Sequence, residues 1–149
     1  MYQRGTVMTM LLDGTRILIV DDDQDILSSM ELAIRKAGAT TSTASDGNSA
    51  ISVARSFQPD AVVLDMMLPG RSGFLVLEKL HELDPRPRVI MVTANQGRRH
   101  MAYARSLGVD DYLLKPVSLE LLIERISSVL LPATSEQDEG EVDDPTGSK

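Results

Sequence analysis

Four short apolar runs in this chain each lead into a side chain that phosphoryl-transfer chemistry can use. Ile17-Leu18-Ile19-Val20 leads into Asp21-Asp22-Asp23, and Ala61-Val62-Val63-Leu64 leads into Asp65. Val89-Ile90-Met91-Val92 leads into Thr93, and Tyr112-Leu113-Leu114 leads into Lys115-Pro116. Asp21, Asp22 and Asp65 together make a hard, oxygen-rich donor set suited to Mg²⁺, with Mn²⁺ as the alternative ion. A lone carboxylate such as Asp65 can also attack phosphorus. The ammonium of Lys115 can neutralise phosphoryl oxygens, and the Thr93 hydroxyl adds a donor. Each residue also has a plainer reading. An acid at a strand-to-helix turn can simply cap a helix, which is how Asp23 and Asp25 are read. A lysine is usually solvated, and threonine is common at strand ends. The combination is more specific than any one member, because uncompensated like charges at Asp21 and Asp22 are costly without a cation.

For these residues to meet, the runs must be neighbouring strands. Short apolar runs bounded by turn signals read as buried parallel strands. Between them lie stretches with helical spacing. In Asp25–Lys36 the apolar positions are Ile26, Leu27, Met30, Ala33 and Ile34, and Gly38 is the stop. Ser49–Ser56, Gly73–Leu83 and Gln96–Leu107 read as further helices, and Ser118 as the cap of a last one. The Thr-rich stretch Ala39–Ala44 reads as a weak edge strand. About five βα units imply an α/β domain with a parallel sheet and helices on both faces. In such sheets ligands sit beyond the carboxyl ends of the strands, where the four chemical groups would gather.

The chain has 149 residues, 42 % of them hydrophobic, enough for one domain with a sizeable core. It has no cysteine, so neither a disulfide framework nor thiol chemistry is available to it. No apolar run approaches a membrane span, and residues 1–14 lack the features of a signal peptide, so they read as a flexible extension and the protein as cytoplasmic. The net charge is −7, of which −5 falls in residues 134–149, where six acids face Lys149 alone. That stretch reads as a disordered acidic tail or the start of a linker, leaving residues 15–133 as the folded domain. Few aromatic residues (3 %) and no long basic run argue against direct nucleic-acid binding.

Taken in order, Ile17–Asp23, Val63-Leu64-Asp65-Met66-Met67-Leu68-Pro69-Gly70, Val92-Thr93-Ala94 and Asp110–Pro116 resemble the receiver (phosphoacceptor) domains of two-component response regulators over residues 15–131. The resemblance implies a flavodoxin-like, doubly wound (βα)5 fold with strand order 2-1-3-4-5. It implies that Asp65 accepts a phosphoryl group from a sensor histidine kinase or a phosphotransfer protein. It implies Mg²⁺ bound by the carboxylates of Asp22 and Asp65 and the backbone carbonyl of Met67, with Asp21 acting mainly through water. Lys115 would pair with the phosphoryl oxygens and Thr93 would bond another. Tyr112 would then change rotamer and reshape the face formed by the fourth helix, fifth strand and fifth helix, which would control an output domain or downstream protein.

The chain also departs from the family pattern. Arg71-Ser72-Gly73 stands where relatives usually carry an apolar residue, Asp and Gly; Ser72 can still cap a helix. Met67 and Asn95 occupy the two positions that tune dephosphorylation, and apolar Met67 implies a long-lived phosphoryl state. Arg98, Arg99 and His100 make the start of the fourth helix basic, which reads first as a solvated face and otherwise as a contact for an acidic partner or the chain's own tail. Asp110, Asp111 and Arg125 match inter-subunit salt-bridge positions of the transcription-factor branch, whereas Leu121 and Ser127 do not, so a homodimer is only partly supported. An aspartyl-phosphate phosphatase would place an acid at Met67, and a partner-binding pseudo-receiver would lack Asp65 or Lys115. The expectation is therefore a signalling domain rather than an enzyme with a diffusible substrate.

Overall fold

A computed structural model describes residues 11–94 and 97–131. Five strands, β1 (Arg16–Val20), β2 (Thr40–Ala44), β3 (Ala61–Leu64), β4 (Arg88–Thr93) and β5 (Asp111–Leu114), alternate with five helices. The helices are α1 (Gln24–Lys36), α2 (Gly47–Phe57), α3 (Gly73–Leu80), α4 (Arg98–Ser106) and α5 (Leu119–Leu130). All strand pairings are parallel, in the order β2-β1-β3-β4-β5. This is the doubly wound topology expected from the sequence, and the Thr-rich β2 lies at an edge.

The three central strands are apolar on both faces, because helices cover both. Ile17, Ile19, Val63, Ile90 and Val92 point to one side, where Leu27, Met30 and Ile34 of α1 and Leu122 and Ile126 of α5 meet them. Leu18, Val20, Val62, Leu64 and Met91 point to the other, against Ala50 and Ala54 of α2, Val76, Leu77 and Leu80 of α3 and Ala104 of α4. The two-residue alternation of each strand thus divides between two helical layers.

Helix starts follow local capping chemistry. Asp23 Oδ1 accepts from the amides of Asp25 and Ile26, Asp46 Oδ1 from Ser49, Ser72 Oγ from Leu75 and Ser118 Oγ from Leu121. Residues 11–14 differ from the flexible extension expected of them. They form a turn in which Leu12 is fully buried in the α1/α5 layer and its amide donates to the Ala37 carbonyl at 2.8 Å. One leucine with no periodic neighbours carries little signal in sequence, yet its burial contributes on the order of 2 kcal/mol. The third helix also ends at Leu80 rather than Leu83, although Leu83 still packs on the core from the following turn. Among the described residues no helix is long and apolar enough to cross a membrane.

Candidate functional site

The sheet register brings the chemical residues to one edge. Val20 of β1 is paired with Leu64 of β3, so the next residues, Asp21 and Asp65, leave adjacent strands at the same level. The Asp65 amide holds this register by donating to the Val20 carbonyl at 3.0 Å. Thr93 closes β4, and its carbonyl accepts from the Lys115 amide at 2.9 Å, which sets Lys115 one strand further along the same edge. Asp21, Asp65 and Thr93 are buried, at 1 %, 5 % and 0 % exposure.

Lys115 joins the acids. Its Nζ donates to Asp21 Oδ2 at 2.8 Å and to Asp65 Oδ2 at 3.2 Å. The other carboxylate oxygens are held by the main chain: Asp21 Oδ1 accepts from the Asp23 amide at 2.9 Å and Asp65 Oδ1 from the Met67 amide at 3.1 Å. Asp22 is exposed, but its carboxylate completes a trio with Asp21 and Asp65, one oxygen from each lying within 4.8 Å of the other two. Three carboxylates against one ammonium leave the pocket anionic. Burial pushes the Asp65 carboxyl above its usual 3.8, the Asp21 charge adds to the rise, and the Met67 amide and Lys115 only partly offset it. Burial works against the charged form of Lys115, but the Asp21 hydrogen bond and the charges of Asp65 and Asp21 outweigh it and hold the ammonium above its usual 10.5. A hard divalent cation fits this donor set, since it would satisfy the oxygens that one lysine leaves under-compensated.

The loop after Asp65 is shaped by Gly73. A Cβ there would lie 2.5 Å from Met66 Cα and 2.8 Å from the Asp65 carbonyl oxygen, so only glycine lets α3 start this close to the acid-bearing loop. The Met67 side chain points to solvent at 62 % exposure. Arg71 is bonded within the chain, its Nε donating to Asn48 Oδ1 at 2.6 Å, which ties the loop to the start of α2. On the far side of Lys115 a half-open groove of about 580 Å³ runs between α1 and the loop before α5, lined by Ile26, Met30, Val92, Pro116 and Leu119. Composition gave no hint of it, because its walls come from both ends of the domain.

Asp21, Asp22, Asp65 and Lys115 are therefore brought together, and Thr93 ends the strand beside them. Tyr112 is mostly buried in β5, packed on the side of the sheet that carries α4, and burial raises its hydroxyl pKa. Asn95 lies outside the described residues. The acids read as inter-subunit partners are used internally: Arg125 Nη1 donates to Asp111 Oδ1 and Oδ2 at 2.8 and 2.7 Å, and Asp110 Oδ2 accepts from the Val89 amide at 2.8 Å. Asp110 Oδ1 also lies 3.5 Å from Arg88 and 3.8 Å from Arg86. His81, read as a surface residue, is half-buried, and its Nε2 is enclosed without a hydrogen-bond partner. Its ring lies against Gly108, where a Cβ would approach Cε1 to 3.2 Å. Nothing local in the sequence signals that contact.

A five-stranded parallel sheet in this order, with carboxylates, a hydroxyl and a lysine at its carboxyl edge, defines the receiver class of signalling domain. The chain belongs to the response regulator receiver domain family, whose model matches residues 17–127. It is 40 % identical over 114 residues to the "Probable transcriptional regulatory protein TcrX" of Mycobacterium tuberculosis, covering 76 % of this chain and 49 % of the relative. It is 37 % identical over 119 residues to the transcriptional regulatory protein PrrA of Mycobacterium leprae, covering 80 % of this chain and 51 % of that one. The chain thus spans about half the length of these curated relatives. Among solved structures it resembles a CheY-like receiver domain protein of Methanospirillum hungatei, with TM-score 0.75 and 31 % identity over 85 % of this chain and 98 % of the other. It also resembles the Thermotoga maritima response regulator DrrB, an OmpR/PhoB homologue, with TM-score 0.70 and 30 % identity over 78 % of this chain and 52 % of that one.

Proposed function

We propose that this receiver domain is a phosphoacceptor switch in which Asp65 takes a phosphoryl group from the phosphohistidine of a sensor kinase or phosphotransfer protein. A carboxylate oxygen of Asp65 forms the new bond to phosphorus as the phosphorus–nitrogen bond breaks and its electron pair returns to the donor's imidazole. The observation that carries this reading is the Lys115 ammonium bonded to both Asp21 and Asp65, at 2.8 and 3.2 Å, although 94 and 50 positions separate them in sequence. Asp22 and Asp65 through their carboxylates, Met67 through its carbonyl and Asp21 through water would hold Mg²⁺. The ion would offset the negative charge that builds on the phosphoryl group during transfer.

After transfer, Lys115 exchanges its Asp65 contact for a phosphoryl oxygen, and the Thr93 hydroxyl donates to a second oxygen. The movement of Thr93 opens space on the α4 side of the sheet, into which Tyr112 turns, and the face built from α4, β5 and α5 changes shape. That face then acts on an output domain or a separate protein, consistent with relatives that are transcriptional regulators. The apolar groove beside Lys115 suits a helix of the donor protein that carries its histidine to the acid. The domain works in the cytoplasm and catalyses only its own phosphorylation and slow hydrolysis.

Incubating the chain and its Asp65→Asn variant with Mg²⁺ and a small phosphodonor, followed by intact-mass measurement, tests the assignment. One added phosphoryl group is expected on the wild-type chain alone. Labelling of both proteins, or of neither, overturns it. The exposed thioether of Met67 offers at best a weak hydrogen bond to an attacking water, so Met67→Asn is expected to shorten the phosphoryl lifetime by about tenfold, less than the roughly 100-fold or more of a true general base because an amide only orients the water. A decay rate equal to that of wild type removes Met67 from this role.

A further inference from the structure

We propose that the outer face of α4 is a docking surface for the chain's own acidic segment, residues 134–149. The nine residues of α4 include Arg98, Arg99 and Arg105, with His100 between them and no acid. All four side chains are exposed. Several other arginines of the domain are engaged, Arg16 by the Phe57 carbonyl, Arg71 by Asn48, Arg86 and Arg88 by Asp110 and Arg125 by Asp111, whereas Arg35 and Arg55 are, among the described residues, single free cations on separate helices. Among the described residues, the three arginines of α4 have no ion-pair or hydrogen-bond partner. Arg98 and Arg99 stand in the first turn, where the positive end of the helix dipole already disfavours cations, so their charge lacks local compensation.

The complementary charge belongs to the same chain. Residues 134–149 carry Glu136, Asp138, Glu139, Glu141, Asp143 and Asp144 against Lys149, and Val142 is the sole large aliphatic side chain there. Attraction between these parts is therefore electrostatic rather than hydrophobic. Geometry allows the meeting. The segment follows α5, which ends at Leu130 and packs on the opposite face of the sheet from α4. The two helices are separated by the β5 edge. Eighteen residues follow Leu131, and at roughly 3.3 Å each they reach about 60 Å, more than a path around the edge of a domain whose radius of gyration is about 13 Å. Tethering gives such a segment an effective concentration in the millimolar range, so a weak contact is populated. Docked there, it covers part of the face that the proposed switch presents, and an acidic partner must displace it.

Because the chain has no cysteine, Gly140→Cys introduces a single site for a nitroxide label in the middle of the acidic run. At low salt, amide signals of residues 98–106 are expected to lose intensity, and to recover at about 1 M salt, where the Debye length is about 3 Å. Neutralising the six acids to Asn and Gln in the labelled chain should abolish the loss, as should replacing Arg98, Arg99 and Arg105 with Ser. If the arginine variant unfolds, the acid-neutralised chain decides alone. Mixing labelled protein with unlabelled, isotope-enriched protein separates contact within one chain from contact between copies. Broadening absent from α4, centred on another basic site such as the Arg55–Arg71–Lys79 groove, unaffected by salt, or seen only between copies overturns the proposal.

Discussion

The domain contains two kinds of ion pair, and they behave as different materials. At the carboxyl edge of the sheet, Lys115 lies between Asp21 and Asp65, whose side chains are 1 % and 6 % exposed. At the outer side of β5, Arg125 holds Asp111 at 2.7 Å with its own side chain 41 % exposed. The contact distances are similar, but the consequences are not. The buried trio has lost water from charges that one ammonium cannot balance, so the site stores unfavourable electrostatics that an incoming cation or phosphoryl group can relieve. The outer pair remains hydrated and contributes little either way. A functional site is thus marked less by the presence of a salt bridge than by an imbalance of charge where solvent cannot compensate.

Removing the ammonium should expose this imbalance most. Lys115→Met keeps a similar length of apolar stem but leaves Asp21 and Asp65 buried without their shared partner. Breaking a buried pair from one side costs about 3–5 kcal/mol; because Lys115 is 19 % exposed, a loss of about 2–3 kcal/mol is expected in urea unfolding. Millimolar Mg²⁺ should restore part of it, since the ion binds the same oxygens. A loss no larger than that of a surface pair would mean that solvent already compensates the acids.

Asp65 gives the next effect, and its sign is opposite. Its folded-state pKa lies above the ordinary 3.8, chiefly because of burial. Between the unfolded and folded values the native state binds more protons, so this group favours folding at low pH and loses that contribution as pH rises through the raised pKa. Without divalent ions, Asp65→Asn should therefore match wild type near pH 3 and become more stable than it as pH rises above about 4. Thermal melts across pH 3–7 measure the crossover. Curves that stay parallel would show that the carboxylate is ionised at no net cost, and that Lys115 balances it fully.

Much of this site is legible in the sequence, because each group ends a strand. A strand end is visible as the point where an apolar run stops, and parallel topology aligns those points. The register of Val20 with Leu64 converts that pattern into the meeting of Asp21 and Asp65. The expectation was weaker where partners are chosen by tertiary contact. Leu12 reads as part of an extension because a lone apolar residue in a turn has no period to reveal its burial. His81 looked superficial because the absence of a side chain at Gly108, 27 positions later, is what lets the loop close over it. Asp111 and Arg125 match a pattern that joins subunits, and they also bond to each other within one chain because β5 and α5 lie side by side, a contact the sequence pattern does not reveal.

That last pair offers the smallest effect and the sharpest contrast. Arg125→Ala removes two charge-assisted contacts to Asp111, at 2.8 and 2.7 Å, but leaves an acid that water can reach. Exposed pairs contribute about 0.2–1 kcal/mol, and fixing a long arginine side chain offsets part of that, so a loss of about 0.5 kcal/mol is expected. The loss should shrink further as salt is raised, whereas the Lys115→Met deficit should persist, because buried charges are screened far less. Measuring both variants at low and high ionic strength makes the comparison direct. A large, salt-resistant loss at Arg125 would place Asp111 in the same class as Asp21 and Asp65, and would mean that the strand carrying Tyr112 is held to α5 by a contact the switch must break.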